Sequence, residues 1–442
     1  MSCQEHIDLH RRRLLLGGGA SLALWGLLPR IAAAAGRDPR FLCVVLRGGL
    51  DGLSMVAPVG DPDYERLRGP LAIPRAGEGA GLALDNFFVL NARMPFLHGL
   101  YQKREALIVH AAATPYRGRS HFDGQDVLES GNGGQGRADD GWLNRALGVL
   151  PAAGRVEPTK GLAIGAMVPL VMRGPAPVLS ASTRAFNFPL RESTTARLMD
   201  LYAQTDPALA KILATGLEIE RVGTGGTVMA AASQPAKALA GKPAAANSPA
   251  AAPQQAVPQA AQPKQGPRAF ANFIETAQTA GRFLTADGGP RIGALSYDGW
   301  DTHANEGAVK GLLANHLNGL DVALETLHGS LGAAWKETVI VVVTEFGRTA
   351  RTNGTEGTDH GTATVALVLG GAVKGGRILA DWPGLADAKL YEGRDLQPTR
   401  DLRTVFKGVL RDHLGLPDAQ LASRVFPDSR DAKPIDGLIG ST

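Results

Sequence analysis

The residues best equipped for chemistry concentrate between Thr338 and Gly361, where the chain reads TVIVVVTEFGRTARTNGTEGTDHG. A β-branched run, Val339 to Thr344, ends in a carboxylate, Glu345, and a Gly/Thr/Asn-rich loop then leads to Asp359-His360-Gly361. Carboxylates and imidazoles together suit a divalent cation, because hard ions take carboxylate oxygens and Zn²⁺ accepts His alongside Asp or Glu. Three other loops carry the same residue types. Asp51 lies in RGGLDG after the run Phe41–Leu46, and Ser120-His121 comes after Ala106–Ala112 and TPYRGR. Asp298, Asp301 and His303 lie in DGWDTHANEG after Ile292–Tyr297. In an extended segment Asp301 and His303 share a face, which suits a metal and equally an Asp–His hydrogen bond. Asp51-Gly52 is also a common turn pair. Ser120 opening a helix would have amide donors and a favourable dipole for an anion beside it, and is equally an ordinary N-cap. Arg348 and Arg351 read as anion binders or as solvated cations.

Positions 51 to 360 can meet only if the fold gathers their loops, and a parallel sheet does so at the C-terminal ends of its strands. Strand patterns at Phe41–Leu46, Ala106–Ala112, Ile292–Tyr297, Val339–Thr344 and Ala363–Leu369 alternate with helical ones. SHFDGQDVLES begins a helix near Ser120, and Ala269–Phe283 suits another. Leu313, Leu317, Leu320, Leu324, Leu327 and Leu331 form one apolar stripe at steps of three and four. PTRDLRTVFKGVLRDHLGLP ends the pattern as a helix capped by Thr399 or Asp401. The alternation predicts an α/β fold, a three-layer α/β/α sandwich with a mainly parallel sheet. His98, His110, His316, His328 and His413 fall on helical or strand patterns and read as structural.

Hydrophobic content of 44% and charged content of 20% in 442 residues are those of a soluble globular protein. The net charge is +4, and no basic run is interleaved with aromatics, so nucleic-acid binding has no support. Residues 1–35 include HRRRLLLGGGASLALWGLLPRIAAAAG, a cationic start, a weakly apolar core and a small-residue end, which reads as a twin-arginine export signal. Its apolar stretch, Leu14 to Leu28, is short for a bilayer span. The expectation is a periplasmic or extracytoplasmic protein of residues 36–442 with no stable membrane span after cleavage. Cys3 falls in the leader, so Cys43 would be left alone, buried and without a disulfide. Residues 223–267, rich in Ala, Pro and Gln, read as a disordered insertion within the α/β domain.

The leader and the ordered series LRGGLDGLSMVAP, RSHFDGQDVLESG, SYDGWDTHANEG, TVIVVVTEFGRT and GTDHGTATVALVLGG resemble domain-of-unknown-function family 1501. That family is placed with the alkaline phosphatase/sulfatase superfamily. The resemblance implies an alkaline phosphatase-like fold and divalent metal (Zn, Mg, Ca or Mn) at two positions, one held by Asp51 and Glu345 and a second by Asp301 (with Asp298 as competitor), His303 and His360, with Asp359 among the candidate ligands. It implies Ser120 as nucleophile, His121 as general acid or metal ligand, and Arg348 beside a substrate oxygen. Two departures qualify it. Phe346 stands where the superfamily often has a second-site His, and Ala113 occupies the reactive position of a sulfatase-like C/S-x-P-x-R segment, so no formylglycine can form there. The implied function is an exported metal-dependent hydrolase of a small anionic ester, a phosphate or a related one. The alternative is a non-catalytic exported binding or assembly protein with an exported protein partner.

Overall fold

The computed structural model describes residues 37–440, apart from 137, 151–160, 166, all but a few positions of 182–214, and 215–266. The leader and almost all of the 223–267 segment therefore lie outside the described residues; only Pro267 falls within them, as the first residue of a helix. The described residues from Pro39 onward form one compact unit. Among the described residues no helix is long and apolar enough to cross a membrane.

Among the described residues nine strands make the main sheet, numbered along it alone: β1 (Arg40–Arg47), β2 (Ala106–Ala113), β3 (Gly161–Ile164), β4 (Val178–Ala181), β5 (Ile292–Asp298), β6 (Thr338–Thr344), β7 (Thr364–Leu369), β8 (Arg377–Leu379) and β9 (Arg400–Asp401). Their order is β8-β2-β7-β6-β1-β5-β3-β4, with β9 pairing β2. The pairs β1–β5, β1–β6, β3–β5, β3–β4, β2–β8 and β2–β9 are parallel, while β7 runs antiparallel to both β2 and β6. A single reversed strand leaves β1, β2, β5 and β6 ending on one edge. It also starts β7 on that edge, so the whole 345–363 connection stays there.

The sheet is covered on both faces, which is why its central strands are near-continuous apolar runs. In β1, Leu42, Val44 and Leu46 join one core cluster and Phe41, Cys43 and Val45 the other, as the period of two requires. The principal helices are α1 (His121–Ser130), α2 (Pro267–Thr285), α3 (Leu312–Leu331) and α4 (Leu402–Leu414), and α2 and α3 cover the first face. Leu313, Leu317, Leu320, Leu324, Leu327 and Leu331 of α3 are all buried there, the stripe expected from their spacing. The second face meets α4 and the short helix Trp142–Leu147. The result is the expected α/β/α sandwich. Asp401 is the cap of α4, its side chain accepting from Arg403 N. His110, His316 and His413 are buried on backbone carbonyls and His98 bonds Ala83 O, so these four are structural as read.

Candidate metal centre

Two loops on the shared strand edge are joined backbone to backbone. The loop after β5 meets the β6–β7 connection through Asn305 N to Thr355 O (2.9 Å), Glu306 N to Glu356 O (2.9 Å) and Thr358 N to Thr302 O (3.2 Å). The β6–β7 connection also folds back on itself, with Gly361 N donating to Gly347 O at 2.8 Å and Thr349 N to Asp359 O at 2.9 Å. That fold returns His360 to the end of β6. The approach is close: a Cβ on Gly361 would lie 2.4 Å from the Arg348 carbonyl carbon, and one on Gly357 2.3 Å from that of His303. Both positions need glycine.

At the junction three imidazoles and one carboxylate converge. His360 Nε2 lies 2.9 Å from both His121 Nε2 and His303 Nε2, and 3.1 Å from Asp301 Oδ1. His303 Nε2 is 2.9 Å from Asp301 Oδ1, and His121 Nε2 is 3.4 Å from Asp301 Oδ2. His121, Asp301 and His360 alone already satisfy the spacing of a metal-binding group. Donor atoms around a four-coordinate Zn²⁺ stand roughly 3.3 Å apart, close to these separations.

The opposite nitrogen of every imidazole is engaged. His121 Nδ1 is 2.7 Å from Glu345 Oε1, His360 Nδ1 is 2.9 Å from the Arg119 carbonyl, and His303 Nδ1 is 3.3 Å from Asp359 Oδ1. An acceptor at Nδ1 holds the proton there and directs the Nε2 lone pair inward, the usual support of a metal-ligating histidine. Glu345 is itself fixed, accepting from Gly48 N at 2.9 Å and from Thr344 Oγ1 at 3.0 Å. Arg348 has a fully buried side chain and donates to Asp301 Oδ1 (2.6 Å), Gly49 O (2.7 Å) and Thr358 O (3.2 Å), tying three loops together at Asp301.

The electrostatics agree with a cation site. Burial opposes ionisation of Asp301, yet hydrogen bonds from His121, His303 and His360 and the Arg348 charge hold it far below the carboxylate range. Burial also works against charge on His121, but Asp301 and Glu345 outweigh it and push the imidazole up to about 9. The Asp301 hydrogen bond raises His303 as well, against its partial burial. The cluster thus holds protons that a cation would displace. It is reachable from solvent: the His303 side chain is 44% exposed, His360 22% and Asp301 20%. A closed structural metal site would be sealed.

Of the expected ligands, Asp301, His303 and His360 meet, and His121 joins them in the cluster. Glu345 and Asp359 do not offer oxygens to the cluster; their carboxylates hold Nδ1 atoms. Asp51 is not brought to it: buried, it pairs with Arg68 and accepts from Leu53 N. Asp298 ends β5 outside the group, and burial together with Glu345 raises it against Arg47. Arg348 cannot face a substrate oxygen, because its guanidinium is spent on protein groups. Ser120 caps α1, its Oγ accepting from Asp123 N at 3.4 Å, while the next residue, His121, enters the cluster. Sequence reading missed the Arg119 carbonyl, Gln125 (Nε2 3.3 Å from Glu345 Oε1) and the Asp51–Arg68 pair. Backbone carbonyls leave no residue-type signal, and nothing marks residues 51 and 68 as neighbours. Phe346 is buried against the His121 and His360 rings, with centroids 4.8 and 5.2 Å away, and against Tyr116 and Val127.

The fold and the cluster define an α/β-sandwich protein with a histidine-rich candidate metal centre. The chain belongs to the family described as "Protein of unknown function (DUF1501)", whose model matches residues 105–425. No curated protein matches it. Among solved structures it is similar to Ps i-CgsB in complex with k-i-k-neocarrahexaose, at 11% identity over 90% of this chain and 77% of that one, TM-score 0.38. It is also similar to the phosphonate monoester hydrolase of Agrobacterium radiobacter, at 11% identity over 86% and 74%, TM-score 0.36. Both likenesses are too distant to speak to chemistry.

Proposed function

We propose that the protein is a metal-dependent hydrolase of a phosphate or related ester, working with one metal rather than two. The observation that carries this reading is the convergence of three Nε2 atoms and the Asp301 carboxylate, each Nδ1 being anchored from behind. Three imidazoles and one carboxylate suit Zn²⁺ better than Mg²⁺ or Ca²⁺, which prefer oxygen. A single metal is favoured because Phe346 fills the space beside His121 and His360. When bound, the metal would supply Lewis-acid stabilisation of a developing oxygen charge. His121, His303, His360 and Asp301 would hold it, and Arg348 would keep Asp301 in place. The ester class is taken from the motif resemblance. Ser120 is the nucleophile in this reading, beside His121 at the first amides of α1.

The protein as a non-catalytic exported binding or assembly protein is the second reading, favoured by the Ser120 hydroxyl being turned to Asp123 N. Elemental analysis and a panel of phosphomonoesters, phosphodiesters and sulfate esters separate the two. One Zn²⁺ per chain with hydrolysis lost in Ser120→Ala supports the first; metal binding with no hydrolysis supports the second. Failure of the wild type to bind metal overturns the centre itself. We further propose export through the leader of residues 1–35, tested by substituting Lys for Arg12 and Arg13 and following the protein's compartment.

A further inference from the structure

Beneath the loops of His303 and His360 lies a second polar cluster. Thr358 Oγ1 donates to Glu306 Oε2 at 2.6 Å, while Glu306 Oε1 has no donor although the residue is fully buried. The Asp51 carboxyl is within hydrogen-bonding reach of Glu306. Asp51 accepts from Leu53 N at 3.1 Å and pairs with Arg68. Arg68 also donates to Ser54 Oγ (2.6 Å) and to Thr349 O (3.3 Å). Two touching carboxyl groups face one guanidinium in the interior, so full ionisation would strand a negative charge. Asp51 has a guanidinium and an amide to stabilise its charge, whereas Glu306 has one hydroxyl. The single proton therefore belongs on Glu306.

We propose that Glu306 is a positioning residue: as a neutral carboxylic acid it donates from Oε1 to Asp51 while its Oε2 accepts from Thr358 Oγ1, so that it clasps the loops carrying His303 and His360 to each other and to the loop after β1. Glu306 stands three residues after His303, and its partner Thr358 two before His360. The titratable groups facing Glu306 are Asp51 and Arg68; Tyr64, near Arg68 in sequence, faces that guanidinium. Burial, then the Asp51 charge, push Glu306 well above the carboxylate range, with Arg68 opposing. At Asp51 burial is outweighed by Arg68 and the surrounding hydrogen bonds, and the group stays ionised.

The test uses Glu306→Gln, which cannot ionise but keeps an N–H for Asp51 and an oxygen for Thr358. The unfolded chain ionises Glu306 above about 4.5, so the stability it gives is full below that pH and is lost as pH rises to the folded value. In denaturant titrations of metal-free protein, the unfolding constant of wild type relative to Glu306→Gln should climb about tenfold per pH unit across that window. A ratio flat with pH overturns the neutral acid. Should the variant not fold, wild type labelled with carboxyl-¹³C glutamate decides: one carboxyl must keep a protonated-acid chemical shift at neutral pH, and its absence overturns the proposal.

The positioning role rests on the metal reading and is tested with Zn²⁺ alone. Glu306→Gln should bind within about threefold of wild type, and Glu306→Ala at least about tenfold more weakly. Wild-type affinity in Glu306→Ala overturns the role. If wild type binds no Zn²⁺, the metal centre falls and the positioning role with it, while the denaturation ratio still decides where the proton sits.

Discussion

Replacing Glu345 by Gln should weaken metal binding by an amount that depends on pH. Glu345 does two opposed things to His121. Its Oε1, 2.7 Å from Nδ1, aims the Nε2 lone pair at the cluster, and removing such an anchor costs about 10–100-fold in affinity. The same carboxylate stabilises the imidazolium. Burial works against that charge, but Asp301 and Glu345 together push His121 up to about 9, so at pH 7 a metal must displace a proton held by about two pH units, roughly a 100-fold penalty. In wild type, chelator-buffered Zn²⁺ titrations should show affinity rising about tenfold per pH unit from 7 towards 9 through His121 alone. In Glu345→Gln the proton is held less tightly, so part of the anchoring loss is recovered at pH 7 and none at pH 9. The defect should be at least several-fold larger at pH 9. Calorimetry in two buffers of different ionisation enthalpy should find fewer protons released by the variant at pH 7. The metal-free protein supplies a sign check. The stability due to protonated His121 is full below about 6.5 and is lost as pH rises through about 9, and the variant should lack much of it. An equal affinity defect at both pH values would refute the two-role reasoning.

Arg348→Met should destabilise the protein by about 3–5 kcal/mol in urea titrations, because it strands Asp301 and the carbonyls of Gly49 and Thr358; a change below about 1 kcal/mol would deny the hub. Phe346→Ala should cost about 3–5 kcal/mol through the cavity left against His121, Tyr116 and Val127, whereas wild type should bind one Zn²⁺ per chain and not two by elemental analysis. Asp359→Asn should lower Zn²⁺ affinity by less than about tenfold, since Asp359 is 54% exposed and its contact to His303 Nδ1 is 3.3 Å; a larger loss than in Glu345→Gln would reverse the ranking of the two anchors.

The strands were legible because buried parallel strands need uninterrupted β-branched runs, and the leucine stripe of α3 because a helix on a sheet buries one side. The reversal of β7 was not, since TVALVL reads the same whichever way it runs and only its neighbours decide. At the site, residue type indicated a metal and the clustering of acids and histidines after strands indicated where. Which acid is a ligand was hidden, because ligand and anchor are the same residue types in the same loops. An anchor must reach the far nitrogen of an imidazole, so Glu345 and Asp359 fall in the very segment that supplies His360. What separates them is saturation. Glu345 is fully buried, with Oε1 held by Gly48 N and His121 Nδ1 and Oε2 by Thr344 Oγ1, so both oxygens are turned to protein groups and away from the three Nε2 atoms. Asp301 is one-fifth exposed and faces three imidazole Nε2 atoms, the side of each ring left open by its Nδ1 anchor. Asp51 follows the same logic from the other side: once Arg68 and Leu53 N occupy its oxygens, its position after β1 no longer makes it a ligand.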